Sequence, residues 1–317
     1  MPIKPNTVLA ITGPTASGKT ALSLEIAQGI VQELGIQAEI ISADSRQIFR
    51  GLDIGTAKPN AHELARIKHH CIDICDSDET FNAGAFAKKA GEIIQDLFSK
   101  NTLPIIVGGS GLYVQALCEG FFEMPSDKAE SFQKARKEVQ EFHEFHGRDA
   151  LFEALHAVDP QSCEDYPDKN PRRIMRALEF YKAMGLRFSE QKSIMMTYPK
   201  FDTCYVMIEH DRKELYRRIN GRCDEMWEGT VKEAQIMLEK GISPKAQSLD
   251  TVGYAQAIAS IYGEIDEKTA IEKMKQATRN YAKRQITWSK RLEGLHMLRG
   301  SNRDMAMEAI TLLNADA

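Results

Sequence analysis

No stretch of this 317-residue chain approaches the roughly 20 consecutive apolar residues that a membrane-spanning helix requires. The opening residues Met1-Pro2-Ile3-Lys4-Pro5-Asn6 lack the apolar core of an export signal, so the sequence predicts a cytoplasmic protein with no membrane partner. Excess positive charge is missing too. The formal net charge is −4, which provides no global basic field, and a polyanionic partner would have to be met by local patches. Cysteine is sparse and scattered, at Cys71, Cys75, Cys118, Cys163, Cys204 and Cys223, which predicts reduced thiols and not a disulfide framework. The stretch His69-His70-Cys71-Ile72-Asp73-Ile74-Cys75 has Cys-x-x-x-Cys spacing but no second ligand pair elsewhere, as a structural zinc needs. Partly buried strand residues are the plainer reading. Internal repeats and low-complexity tracts are absent, and no surplus apolar stripe calls for a partner copy, so a monomer is expected.

What the chain does have is an ordinary globular composition, 43% hydrophobic and 27% charged, long enough for two domains or one domain with a large insertion. Its organising stretch is Gly13-Pro14-Thr15-Ala16-Ser17-Gly18-Lys19-Thr20, which reads G-x-x-x-x-G-K-T. The apolar run Thr7–Thr12 before it predicts a buried strand, and the residues after it have helical spacing. Strand, glycine loop and helix together cradle a polyphosphate. The loop amides and the helix N-terminus point at an anion. Lys19 adds a point charge, and the Thr20 hydroxyl is placed to hold Mg²⁺. The pattern does not distinguish ATP from another polyphosphate.

Further strands are predicted at 38–43 and 103–107, with helices at 19–34 and 83–99 between them. Strands alternating with helices imply a parallel sheet covered on both faces, and ligands of such sheets sit beyond the carboxyl ends of the strands. The loop at 13–20, Asp44 and the loop at 108–111 all fall at such ends. From about Pro125 the chain becomes helical and highly charged, with helices expected at 127–146, at 148–158 and from Pro171 onwards. Strand composition returns at 202–208, followed by helices at 212–227, 229–240, 253–262 and 266–292 and a tail that is a short helix or frays. The predicted fold class is α/β: a P-loop NTPase-like parallel sheet flanked by helices. Residues 1–124 and 202–317 form its core with the C-terminal helices, and 125–201 form an all-helical insertion.

Asp44 is placed to act as a general base or to hold Mg²⁺ through water, and a loop-capping aspartate is the alternative. The third strand ends in Gly108-Gly109-Ser110, without the acid that hydrolysing NTPases often place there. Bare glycines there permit close backbone approach by a ligand. Basic residues cluster at Arg172, Arg173 and Arg176, and again at Arg279, Lys283, Arg284, Lys290 and Arg291, where Tyr281 and Trp288 are interleaved. Charge with aromatic surfaces suits looped RNA; a solvated basic helix over core aromatics is the competing reading. Arg217, Arg218 and Arg222 form a third cluster; Arg218 and Arg222 are i,i+4 neighbours fit to clamp a phosphate, and surface ion pairing with Glu214 and Glu225 is the competing reading.

Taken in order, Gly13–Thr20, Asp44-Ser45-Arg46-Gln47, 51–59, Gly108-Gly109-Ser110-Gly111-Leu112-Tyr113, Val252-Gly253-Tyr254 and 283–288 resemble the tRNA dimethylallyltransferase family, from about residue 8 to about 295. The resemblance implies transfer of a dimethylallyl group from dimethylallyl diphosphate to N6 of adenosine 37, beside the tRNA anticodon, with Mg²⁺ as cofactor. It implies Asp44 as the base toward the adenine amine, with Ser110 near the reacting centre, where the family usually has threonine. Arg222 would contact the diphosphate, and residues 13–20 would hold it. Segments 44–47, Arg172 to Arg176, Thr251 to Tyr254, and Lys283, Arg284, Gln285 and Trp288 would contact tRNA, with Arg46 departing from the usual third residue of its segment. The insertion would clamp the anticodon stem. Three other readings of the same residues are a kinase using the loop for ATP, an enzyme prenylating free adenine nucleotides, and a non-catalytic RNA-binding protein with a relict loop.

Overall fold

The computed structural model describes residues 3–123 and 125–314. Its chain order begins β1 (Thr7–Thr12), α1 (Lys19–Leu34), β2 (Gln37–Ser42), α2 (Ala61–Arg66), β3 (His69–His70), α3 (Ala83–Ser99), β4 (Thr102–Val107) and α4 (Gly111–Cys118). There follow β5 (Phe121–Phe122), α5 (Ala129–Val158), α6 (Pro160–Glu164), α7 (Pro171–Met184), α8 (Phe188–Gln191) and β6 (Met196–Thr197). The chain then continues through β7 (Asp202–Ile208), α9 (Arg212–Glu239), α10 (Tyr254–Ile261), α11 (Glu267–Ser289), β8 (His296–Leu298) and α12 (Asn302–Leu312). Two compact units result, one of residues 1–119 with 199–317 and one of residues 120–198. No described helix is long and apolar enough to cross a membrane.

The larger unit is built on a parallel sheet in the order β3-β2-β4-β1-β7-β8. Leu9 stands beside Ile105 on one side and Cys204 on the other. β1 is buried at all six positions, as a central strand covered on both faces should be. α1 and α12 close one face: Ile26 and Ile30 meet Ala306, Ala309 and Ile310 over Leu9, Ile11, Ile40 and Ile105. A Cβ at Gly29 would come within 2.8 Å of the Ile310 side-chain tip, so the glycine lets these helices pack closely without displacing it. Within the described residues, the tail therefore carries a packed helix, α12.

Several elements differ from expectation. The edge strands β3 and β8 have only two and three residues, too few for a period to register in the sequence. α9 runs unbroken through Gly229. The glycine is there because Ile54 lies against it, 2.5 Å from where a Cβ would be, and not to end a helix. Cys71 and Cys75 lie outside the strands as buried thiols, both pushed up to about 11 by burial.

The smaller unit is not wholly helical. β5 and β6 pair antiparallel, Phe121 with Thr197 and Phe122 with Met196, and this ribbon makes the compact unit begin at Gly120 and end at Tyr198. The ribbon forms because Phe122 packs on Phe180 and Phe188, with ring centroids 5.3 and 4.9 Å away. α5 kinks at Gly147, whose φ of 80° lies in the left-handed region. Asp159, fully buried, accepts from the amides and hydroxyls of both Ser162 and Ser189 and ties α6 to α8.

Candidate active site

The larger unit contains a cavity of about 960 Å³ at the carboxyl ends of its strands. β1 delivers the loop 13–18 to it, β2 delivers Asp44, and β4 delivers Gly108 and Gly109. The loop geometry depends on its residue types. Gly13 (φ 116°) and Gly18 (φ 90°) take left-handed conformations, and a Cβ on Gly13 would lie 2.9 Å from Met207. At the floor of the loop the Ser17 hydroxyl oxygen is buried with no hydrogen-bond partner. The Ser17 carbonyl is 2.8 Å from Nε2 of His210, which stands just beyond the end of β7.

Lys19 folds back over the loop, donating to the carbonyls of Gly13 at 3.1 Å and Pro14 at 2.6 Å. Burial pushes its pKa down to about 8; the nearby Asp44 carboxylate opposes this shift, and Arg222 adds to it. A buried ammonium wants an anion beside it. Two more cations converge from α9. A Cβ on Gly18 would be 3.5 Å from a guanidinium nitrogen of Arg218, and Arg222 is half-buried in the cavity wall. Burial holds the Arg222 guanidinium below its usual range, with Asp44 among the charges opposing that. Neither arginine has an ion-pair partner within hydrogen-bonding range among the described residues. Arg217 and Arg218 are both exposed, and Arg217 borders the cavity too, but Arg217 is bonded to Glu214 through two nitrogens, at 2.9 and 2.8 Å. Thr20 lines the same cavity with its hydroxyl free of any internal hydrogen bond.

Asp44 accepts the Arg46 amide at 2.9 Å through one carboxylate oxygen. Beside it, the Ser110 hydroxyl accepts the Ser45 amide at 2.9 Å and donates to the Ser45 hydroxyl at 3.2 Å. Gly108 must be bare, since a Cβ would lie 2.1 Å from the Ala43 carbonyl oxygen. Tyr281 of α11 also lines the cavity; burial pushes its phenol up to about 12, with the Asp44 charge acting in the same direction. The arrangement sets the Asp44 carboxylate in one cavity with the glycine loop 13–18 and the cations Lys19, Arg218 and Arg222, with Arg217 paired to Glu214 at its edge.

The sequence model of the IPP transferase family matches residues 47–292. A tRNA dimethylallyltransferase of Staphylococcus carnosus (strain TM300) is 39% identical over 287 residues, 89% of this chain and 88% of its own. One from Desulforudis audaxviator (strain MP104C) is 38% identical, across 93% and 92%. This chain belongs to the IPP transferase family. Among solved structures of the family, the tRNA isopentenylpyrophosphate transferase of Staphylococcus epidermidis superposes with a TM-score of 0.69 at 38% identity, covering 99% of this chain and 100% of that one. A eukaryotic dimethylallyltransferase described as acting on tRNA gives 0.76 at 27% identity, covering 92% and 73%.

Within this family member, the residues expected to meet RNA fall into distinct groups. Lys283 and Arg284 are exposed, and Arg284 lies 5.7 Å from the Tyr281 ring. Thr251 and Val252 line the cavity. Arg46 lines it too and reaches the Gln247 carbonyl. In the smaller unit Arg172 and Arg173 are exposed on α7, Arg173 lies over Tyr166, and Arg176 is partly buried. Four other residues are engaged by the protein itself, although Gln47 and Gln285 also border the cavity. Tyr254 is 0% exposed and donates to Glu233. Gln47 accepts from Ser42 and donates to the carbonyls of Thr56 and Ala57, which fixes the loop 51–58. Gln285 is buried between two loops. Trp288 is packed so close to Gly111 that a Cβ there would lie 2.3 Å from the indole. Sequence reasoning missed Glu233 and His210, and took Tyr281 only as an aromatic interleaved among basic residues. The rule that ligands gather at strand ends would have found His210; Glu233 lies within α9 with no distinguishing pattern.

Proposed function

We propose that this chain transfers a dimethylallyl group from dimethylallyl diphosphate to N6 of adenosine 37 of tRNA, next to the anticodon. The observation that carries the reading is one cavity holding both the cationic phosphate cradle and Asp44, with no acid at the end of β4 to direct water at a phosphate. In the reaction the bond between the allylic carbon and the diphosphate oxygen breaks. The bond from N6 to that carbon forms, and the amine proton passes to Asp44. Lys19, Arg218, Arg222 and the loop amides stabilise the charge gathering on the departing diphosphate. The target base must leave its loop stack to enter the cavity. Ser110 orients the Asp44–Ser45 turn through its bond to the Ser45 amide.

A divalent metal, Mg²⁺ in this reading, would neutralise diphosphate charge. The Thr20 hydroxyl is its candidate ligand, and the unpartnered Ser17 hydroxyl beneath the loop fits a site completed by a bound polyphosphate. Lys283, Arg284, Thr251, Val252, Arg46 and the α7 arginines Arg172, Arg173 and Arg176 would meet tRNA, through phosphate contacts that position the loop. We take the enzyme to act as a monomer in the cytoplasm.

The test is direct. Purified protein is incubated with dimethylallyl diphosphate, Mg²⁺ and either unmodified tRNA, AMP or ATP. Prenylated tRNA is the expected product. Prenylation of AMP with none of tRNA would move the acceptor to free nucleotides, and ATP consumption without prenyl transfer would favour a kinase.

A further inference from the structure

Gln285 follows the exposed Lys283 and Arg284 on α11 and borders the cavity beside the phosphate loop, yet it is only 5% exposed. Its carbonyl oxygen accepts the Thr15 amide at 2.8 Å, and its amide nitrogen donates to the Gly109 carbonyl at 2.9 Å. One side chain thus joins the loop after β1 to the loop after β4. The fit leaves no slack: a Cβ on Gly109 would lie 2.0 Å from the Gln285 amide nitrogen. Nearly one helical turn further on, Trp288 packs against Gly111, where a Cβ would lie 2.3 Å from the indole. The bridge needs an acceptor and a donor on one planar group, which glutamine supplies and few other side chains do.

We infer that Gln285 is a positioning residue for the phosphate-binding loop, fixing the Thr15 amide so that the cradle is formed before diphosphate arrives, and that it makes no contact with RNA. The inference rests on the reading that this loop holds the diphosphate of the prenyl donor. It places the key between the RNA-facing helix and the diphosphate loop in one buried amide, beside the exposed Arg284 that would meet RNA.

The experiment measures binding of inorganic pyrophosphate with Mg²⁺, and separately of an unmodified anticodon stem–loop RNA, by the full chain and its variants. Gln285→Leu removes both hydrogen bonds at similar volume. Pyrophosphate binding should weaken roughly tenfold, while RNA affinity measured without pyrophosphate stays within about twofold. Gln285→Glu keeps the shape and the acceptor for Thr15, but sets a carboxylate oxygen against the Gly109 carbonyl. Protonation restores the donor, so its pyrophosphate affinity relative to the unsubstituted protein should recover as pH falls from about 8 to about 6. A merely structural role would not produce that recovery. Should Gln285→Leu fail to fold, the Gln285→Glu profile decides alone. Unchanged pyrophosphate binding in Gln285→Leu, loss of RNA affinity in its place, or a flat Gln285→Glu ratio would each overturn the inference. If the unsubstituted protein transfers the prenyl group and one of these results is found, only the inference fails; if it neither transfers nor binds pyrophosphate, the functional reading fails with it.

Discussion

The Tyr254 phenol donates to the Glu233 carboxylate at 2.6 Å, and that carboxylate also accepts the amides of Asp53, Ile54 and Gly55 at 2.9, 2.7 and 3.0 Å. Three successive amides round one anion form a nest, here filled by the protein's own side chain. The loop so held supplies Gly55, Thr56, Ala57 and Lys58 to the cavity wall. Tyr254→Phe removes one hydrogen bond and should cost about 1 kcal/mol in denaturant unfolding, whereas Glu233→Ala leaves three amides unpaired and should cost roughly 3 kcal/mol. RNA affinity should persist in Tyr254→Phe. Loss of RNA binding out of proportion to stability would make Tyr254 a direct contact.

Lys19 predicts a pH dependence. Its pKa in the fold is about 8, below the ordinary 10.5. The folded chain therefore holds fewer protons than the unfolded chain between those values. The stability this residue contributes is present at high pH and lost as pH falls through about 8. Diphosphate binding has the opposite sign, because it needs the charged ammonium. Pyrophosphate affinity should fall roughly tenfold between about pH 7 and pH 9. Titration calorimetry across that range checks it, with Lys19→Arg, always charged, as the control that should lose the trend.

The core sheet and its ligand end were legible in the sequence because β1, β4 and β7 are mostly apolar runs of six or seven residues, β2 carries the apolar pair Ile40-Ile41 ahead of Asp44, and the phosphate loop has a fixed spacing. Asp44 was legible because it follows β2. The ribbon of β5 and β6 was not: two residues a side cannot show alternation, and what stabilises it is the contact of Phe122 with residues some 60 positions away. Nor could the roles of Gln285 and Tyr254 be read. A polar or aromatic residue in a basic or glycine-marked segment looks like a ligand contact until burial is known, and here both are inside. The arginine trio divides for the same reason. Helical spacing put Arg217, Arg218 and Arg222 together, and all three border the cavity, but only the folded chain shows Arg217 bonded to Glu214 and the other two without an ion-pair partner among the described residues.

That division is itself testable. Arg222→Ala and Arg218→Ala each remove a cation that would bond the diphosphate, and each should weaken donor binding or turnover by about ten- to a hundredfold. Arg217→Ala breaks only an exposed pair and should leave stability within about 1 kcal/mol and turnover unchanged. Steady-state kinetics on the three variants decides it; equal losses in all three would place Arg217 at the substrate.

Asp44→Asn keeps the shape of the side chain and the bond from the Arg46 amide while removing the proton acceptor. Turnover should fall by about a hundredfold or more, with tRNA binding largely retained. Single-turnover prenyl transfer and an independent RNA-binding measurement separate the two quantities. Loss of binding at unchanged chemistry would make Asp44 a structural cap of its turn.

Arg284 stands at the exposed side of α11, over the Tyr281 ring and at the cavity rim, next to the buried Gln285. A guanidinium so placed would meet an RNA phosphate, and each such contact releases a counterion. Arg284→Ala should therefore weaken tRNA binding at low salt and reduce the slope of log affinity against log salt by about 1. Tyr281, half-buried beneath it, keeps the rest of the cavity wall in place, so pyrophosphate affinity should not change. An unaltered salt slope would remove Arg284 from the RNA interface and leave it a solvated charge stacked on an aromatic ring.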